Sequence, residues 1–425
     1  MRRVAVLLLS AVVAAGVACD RNDGSGSPSD RPLRVQVSGE PEETRVYRAL
    51  VEAFERENDD IDIELVEIPE KDEHLAKLTT SFAGGTPPEV FLVNFREYSQ
   101  FVVRDAIAPF EDFLDDNDVD LDDYFAQPLE AFTYEGALQC MPQNISSLVV
   151  YYNEKLFDQA GLRRPAPGWS WEQFVETART LTRGDVHGVG IEPSIIRLAP
   201  FVWSNGGELV DDGDAPTRFT LDAPEAREAL EFLVSLVRDE KVVPSEDDVA
   251  AQDLETRFAT DKLGMYLSSR RDTPVFREVQ GLQWDVAALP VAMEPAGILH
   301  SDGYCLAAGV DTERMEAAAR FIAFATGRQG QTVTALGGRT VPSLTEVAES
   351  GAFLDPTQAP AHSEVFLDGV PTIRRTPVMS TWPEIEDLAE EILTRAFYEP
   401  GYTIDDAIDA LEAETTPLFE EGAQP

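Results

Sequence analysis

The sequence predicts an α/β protein made of two comparable regions. Three observations carry that prediction: apolar strands alternate with amphipathic helices from residue 32 onward, the alternation starts afresh after residue 147, and 425 residues exceed one ordinary domain. Hydrophobic residues make up 43% of the chain, enough to build buried cores despite a net charge of −44.

Taken in order, Pro32 to Val37 (PLRVQV) alternates apolar and polar residues like a first strand. A helix from about Thr44 to Glu57 follows, with Val46, Leu50, Ala53 and Phe54 at helical spacing. Ile61 to Ile68 is the next alternating strand, and His74 to Ala83 reads as a helix stopped by Gly84 and Gly85. Glu89 to Asn94 (EVFLVN) is short and almost wholly apolar, as in a parallel sheet covered on both faces. In the second region Ser147 to Asn153 (SLVVYYN) is a buried strand, and Trp171 to Thr182 is a helix capped by Ser170. Ala223 to Arg238 is an amphipathic helix, followed by strands at Lys262 to Leu267 and Val286 to Leu289. Gly303 to Val310 (GYCLAAGV) reads as a strand and Arg314 to Thr326 as a helix. Trp382 to Tyr398 and Ile404 to Leu411 are helical.

The acidic balance, 78 Asp and Glu against 34 Lys and Arg, excludes a nucleic-acid partner, since little could neutralise a phosphate backbone. It also argues against electrostatic adhesion to anionic lipid. Motifs for catalysis are missing: there is no GxSxG elbow, HExxH helix, P-loop or Gly-rich dinucleotide turn, so no cofactor is expected. His74, His187, His300 and His362 are far apart and read as surface or loop residues rather than catalytic bases. Asp115 to Asp123 (DDNDVDLDD) lacks the glycine and terminal Glu of a calcium loop and reads as a solvated loop. No metal site is expected.

Met1-Arg2-Arg3 and the apolar run from Val4 to Val17 form a secretory signal, too short for the roughly 20 residues of a membrane span. The run ends in Ala15-Gly16-Val17-Ala18-Cys19, which resembles a bacterial lipoprotein signal with Cys19 as the acylated residue. Residues 1–18 are then the signal and 19–31, rich in Gly, Ser, Asp and Pro, a flexible tether. The expected address is the outer face of the bacterial cytoplasmic membrane, reached only through this lipid anchor. Ordinary cleavage near Ala18 is the alternative. Cys140 and Cys305 remain in the mature chain, and counting alone leaves a disulfide and two buried thiols equally open.

Four segments together resemble the family 1 extracellular solute-binding proteins, the carbohydrate receptors of ABC importers related to maltose-binding protein. They are Met141-Pro142 with LVVYYNEKLFDQAGL (Leu148 to Leu162), FVWSNGGELVDDG (Phe201 to Gly213), FATDKLGMYLSS (Phe258 to Ser269) and the strand and helix from Gly303 to Phe324. They follow the family's order along most of the mature chain. The resemblance implies a two-lobe periplasmic-binding-protein fold, the Venus flytrap, with hinge strands between the lobes. Residues 32–142 and 303–345 would form lobe I, and 143–302 and 346–425 lobe II with the C-terminal helices. It further implies a monomeric receptor that hands a carbohydrate to ABC permease subunits. It places Cys140 and Cys305 at the two crossings between lobes, and so implies a disulfide there.

A sugar needs planar amides, carboxylates or guanidinium groups for its hydroxyl rim and aromatic rings for its C–H face. By that logic and the resemblance, the expected ligand contacts are Glu40 after the first strand, then Asn94, Phe95 and Arg96 after the third. Asn144 and Ser146 lie just beyond the first crossing. Trp203 and Asn205 form the expected stacking and amide pair. Arg270 and Arg271 stand where the family carries a ring and could clamp a carboxylate or phosphate. Gly303, Tyr304 and Trp382 complete the wall, while Trp169 and Trp171 look like turn and helix-start packing. A carbohydrate-cleaving enzyme, or a receptor of the same fold for a non-sugar solute such as a phosphate ester, remain the competing readings.

Overall fold

Apolar side chains at alternate positions of Leu33–Ser38 and throughout Val90–Asn94 form the middle of the first sheet. The computed structural model describes residues 31–39 and 41–423. In it Leu33–Ser38 pairs in parallel with Ile63–Ile68 on one side and Val90–Asn94 on the other. Asp302–Ala307 runs antiparallel to Val90–Asn94 and in turn pairs with Ile107–Ala108 and Cys140–Pro142. The first helix begins at Pro41, ahead of the expected Thr44, because a helix's first turn tolerates a residue without an N–H. The second starts at Lys71, where Asp72 and Glu73 complement its dipole.

The second sheet centres on Val149–Asn153, antiparallel to both Leu263–Ser268 and Trp284–Ala287, with His187–Gly190 parallel at the outer edge. Both faces are covered, as period-two alternation of apolar residues requires. Tyr151, Tyr266, Trp284 and Val286 meet Phe258 and Phe276 on one side, whereas Val150, Tyr152, Met265 and Leu267 join a second core on the other. The Trp171–Leu181 helix, opened by a Ser170–Gln173 capping box, packs very closely on this second face. A Cβ at Gly188 would stand 2.0 Å from the Ala178 carbonyl oxygen, so only glycine fits there. Trp169 donates to the Ala288 carbonyl and Trp171 stacks on Phe232 at 4.2 Å, both in packing roles.

The second core is completed by Ile195–Ser204, Pro224–Arg238, Trp382–Tyr398 and Ile404–Gly422. Ile195–Ser204 has no counterpart in the sequence reading. Every residue of it except Ile196 is buried, and a helix apolar all round shows no stripe for periodicity to detect.

The chain crosses between the sheets at Gln143–Ser147 and again at His300–Ser301. These segments run side by side: Ser146 N donates to His300 O, and His300 N to Ser146 O, each at 2.9 Å. Cys140 and Cys305 are joined by a disulfide, directly opposed on neighbouring strands with Cα atoms 4.4 Å apart. The bond lies inside the first sheet, clamping the strand that enters the first crossing to the strand that leaves the second.

Candidate functional site

A cavity of about 600 Å³ opens between the two sheets and is lined by residues of both halves and of the crossings. The first wall is built on the ends of first-sheet strands. Asn94 closes its strand and caps the following helix, its Oδ1 accepting from Arg96 N at 3.3 Å and Arg96 Nε at 3.1 Å. Its Nδ2 donates to Asp302 Oδ1 at 3.1 Å, and Asp302 N donates to Asn144 Oδ1 at 2.8 Å. Arg96 Nη1 reaches Glu386 Oε2 at 2.7 Å, and the other oxygen of Glu386 accepts from Trp382 Nε1 at 2.6 Å. Burial pushes the Glu386 carboxyl up, and Arg96 opposes that shift. Arg339 lies between Glu43 and Asp302, 3.5 Å from each, with its guanidinium 5.6 Å from the Tyr47 ring centre. Burial alone would lower the Arg339 pKa, but Tyr47, Glu43 and Asp302 outweigh it and leave the pKa raised.

The second wall comes from the Ile195–Ser204 helix and from the turn after Leu263–Ser268. Arg197 pairs through Nη2 with Glu192 at 2.6 Å, while its buried Nε has no partner. Arg271 Nε stands 3.4 Å from Asp272 Oδ1, and 65% of the Arg271 side chain is open. Asp272 is 3% exposed with Oδ2 unpartnered, and burial raises its pKa against the pull of Arg271. Glu255 is pushed up to about 7, chiefly by burial and then by Asp272, with Arg271 opposing. Arg270 borders the cavity but sends its guanidinium the other way: Nε donates to Gly338 O at 2.9 Å, Nη1 to Ser363 Oγ at 3.1 Å. Its charge lies 4.8 Å from the Phe353 ring centre and 5.2 Å from that of Phe366, and burial followed by Arg277 pushes its pKa down to about 9.

Of the sequence-predicted contacts, the cavity brings together Asn94, Arg96, Asn144, Ser146, Arg270 and Arg271. Six others are packed away from it. Phe95 and Trp382 are 0% exposed, and Trp382 acts on the site only through Glu386. Trp203 belongs to an apolar helix in the second core, with the Arg374 guanidinium 4.7 Å from its ring centre. Asn205 ends that helix and donates to Glu225 O and Glu228 Oε2. Gly303 is a packing glycine, since a Cβ there would sit 2.7 Å from the Phe132 ring, and Tyr304 is buried with its hydroxyl on Gln143 Oε1 at 2.7 Å. Glu40 and Cys19 lie outside the described residues, as do the signal and all of the tether except Arg31.

The surface or loop reading also fails for His74, which is buried in a helix with Nδ1 facing Gln36 Nε2 and Nε2 facing Leu92 O. Burial pushes its pKa down to about 4. His300 lines the cavity at the crossing, with a shielded Nε2 that has no partner. Burial, then Arg96, Arg197 and Arg271, hold its pKa well below the usual value, so the imidazole is neutral. The residues that sequence reasoning missed are Glu43, Arg197, Glu255, Asp272, His300, Asp302 and Arg339. One signal was present: Arg197 is the lone charge in a ten-residue apolar helix. Among the described residues no cluster of His, Cys, Asp or Glu is placed to hold a metal, and no helix is long and apolar enough to cross a membrane.

A family model described as bacterial extracellular solute-binding protein matches residues 49–361. A binding protein of Brucella abortus is 22% identical over 380 residues, 86% of this chain and 89% of the relative. An ABC substrate-binding protein from Listeria monocytogenes, solved with cycloalternan, superposes with a TM-score of 0.81 at 24% identity, covering 92% of this chain and 98% of that one. UgpB from Mycobacterium tuberculosis, solved with glycerophosphocholine, gives 0.81 at 20% identity over 93% of this chain and 99% of its own. These relatives are binding proteins rather than enzymes. The chain therefore belongs to the bacterial extracellular solute-binding protein family, as an exported protein with the two-lobe fold of periplasmic binding proteins.

Proposed function

We propose that this protein is the lipid-anchored, monomeric receptor of an ABC importer, which captures a hydroxylated, carbohydrate-like solute in the interlobe cleft and presents it to membrane permease subunits. The observation that carries this reading is the cavity itself: about 600 Å³, within the range of small-molecule sites, with amides, carboxylates and guanidinium groups from both halves converging on it. Such groups match a hydroxyl rim, and a buried polar site penalises any analogue that leaves its partners unpaired. The sugar in the Listeria structure and the phosphodiester in the mycobacterial one support a polar, hydroxyl-bearing ligand.

In this account lobe I is residues 32–142 and 303–345, and lobe II is 143–302 and 346–425. The solute bridges both, closure about the crossings favours the bound shape, and the permease reads that shape. No bond is made or broken, so the protein is not an enzyme and needs no cofactor. Micromolar capture requires only about −8 kcal/mol, a few charge-assisted hydrogen bonds after ordering costs. The test is a thermal-shift screen of the mature protein over sugars, sugar acids and phosphate esters, with chromatography of each mixture afterwards. Stabilisation with the solute recovered unchanged is expected. Turnover of any glycoside or ester in the panel would replace the receptor with a hydrolase.

A further inference from the structure

We propose that the solute carries an anionic oxyacid group, a phosphate ester or a carboxylate, on a polyhydroxylated skeleton, and that Arg197, Arg271 and His300 receive that group. The inference rests on the receptor reading above and narrows its ligand class.

Its first support is what the cavity lacks. The only aromatic rings among the described lining residues are His74, Tyr266 and His300, and His74 already has both nitrogens engaged. Tryptophan and phenylalanine, the usual platforms for a neutral sugar's C–H face, have gone to the cores.

Its second support is where unmet polar groups collect. Of the lining residues with a shielded polar atom that lacks a hydrogen-bond partner, Arg339 has its Nε 3.5 Å from Glu43 and Arg270 turns its guanidinium away, which leaves Arg197 Nε, Asp272 Oδ2 and His300 Nε2. Each such atom costs about 1–3 kcal/mol, so their concentration at one place marks the seat of a ligand. Arg197 is 9% exposed, yet its Nε is unmet. Arg271 touches Asp272 only through Nε, leaving most of its guanidinium open to the cavity. The shielded Nε2 of His300 is unmet on the same cavity lining, and burial first, then Arg96, Arg197 and Arg271, keep that imidazole neutral.

Carboxylates answer these cations only in part and leave donors over. Glu43 and Asp302 share Arg339, Glu97 pairs with Lys71, and Glu192 and Asp272 each meet a single nitrogen, of Arg197 and Arg271 respectively. Glu70 and Asp253 are exposed at the rim, and burial moves Glu255 toward its protonated form at neutral pH. Asp272 Oδ2 and Glu255 instead offer acceptors for the hydroxyls of the same solute, which places a negative group and its hydroxylated skeleton side by side on the second wall.

The test is calorimetry on the mature protein at matched ionic strength, with a phosphate arm (sn-glycerol 3-phosphate and glucose 1-phosphate), a carboxylate arm (glucuronate) and a neutral arm (glycerol, glucose and maltose). A member of one charged arm should bind, its neutral counterpart at least about tenfold more weakly, and the arm that succeeds identifies the oxyacid. Arg197→Gln and Arg271→Gln should each cost about tenfold to a hundredfold in affinity, the worth of a charge-assisted hydrogen bond, with the unliganded melting temperature little changed. Binding of glucose or maltose as tight as that of the charged analogues, silence in both charged arms, or unaltered affinity in both variants overturns the proposal. The first outcome leaves the receptor reading intact, whereas product formation in any arm defeats that reading itself.

Discussion

The two walls of the cleft are built from similar residue types and finished differently. On the first wall almost every charge is answered within the protein: Asn94 and Asn144 hold Asp302, Asp302 and Glu43 flank Arg339, and Glu386 fixes Arg96. On the second wall Arg197, Arg271, Asp272 and Glu255 are only partly answered. The contrast separates a surface whose geometry is set before any solute arrives from one whose hydrogen bonds are completed by the solute. A receptor needs both, since a preorganised wall lowers the ordering cost of binding and an unfinished one supplies the gain. The Arg96–Glu386 pair joins the halves, because Glu386 rides on a helix of the second core while Arg96 belongs to the first.

The largest effect should come from breaking the finished wall. Arg339→Met removes the guanidinium shared by buried Glu43 and half-buried Asp302 and should cost about 3–5 kcal/mol in urea unfolding. A change under about 1 kcal/mol would mean that the wall is not held by that pair. Trp203→Ala removes a large core side chain and should cost a similar 3–5 kcal/mol while leaving affinity within about twofold, since the ring does not face the cavity. A preserved melting temperature with lost binding would return Trp203 to the site. Reducing the Cys140–Cys305 bond, which spans 165 residues, should lower stability by about 2–4 kcal/mol without changing which solutes bind. Two alkylatable thiols in the native exported protein would remove the bond from the account.

The smallest effect concerns the unfinished wall and pH. Glu255 is raised to about 7 and is faced by Asp272, Asp253, Glu43 and Arg271. Between the ordinary carboxylate value and about pH 7 the folded state then keeps a proton that the unfolded state has lost, so this group's contribution falls as pH rises through that window. Glu255→Gln should flatten that fall, by about 1 kcal/mol or less because the residue is partly exposed, and should not weaken the protein at pH 8. A decline from pH 5 to 8 as steep in the variant as in the wild type would show that Glu255 does not titrate there.

Much of the fold was readable because its signals are local. The alternation at Leu33–Ser38 and the stripe of Trp382–Tyr398 name their elements from neighbouring residues alone, and the latter's bounds coincide with the expectation. The site was readable only where it sits at strand ends, as with Asn94, Arg96, Asn144 and Arg271. The rest fails for two physical reasons. Glu43 meets Asp302 and Arg339 only through topology, across more than half of the chain, so no window contains them together. Ring type was also read as ring exposure: the apolar neighbours of Trp203 in IIRLAPFVWS already marked a buried helix, and tryptophan in such company packs before it stacks.

The decisive comparison sets Arg271→Gln against Trp203→Phe by calorimetry, on whichever sugar phosphate, polyol phosphate or sugar acid the wild type binds. The charged-cleft account expects a loss of about tenfold or more for Arg271→Gln and less than about twofold for Trp203→Phe. The opposite pattern, with affinity gone from the tryptophan variant and intact in the arginine variant, would contradict it.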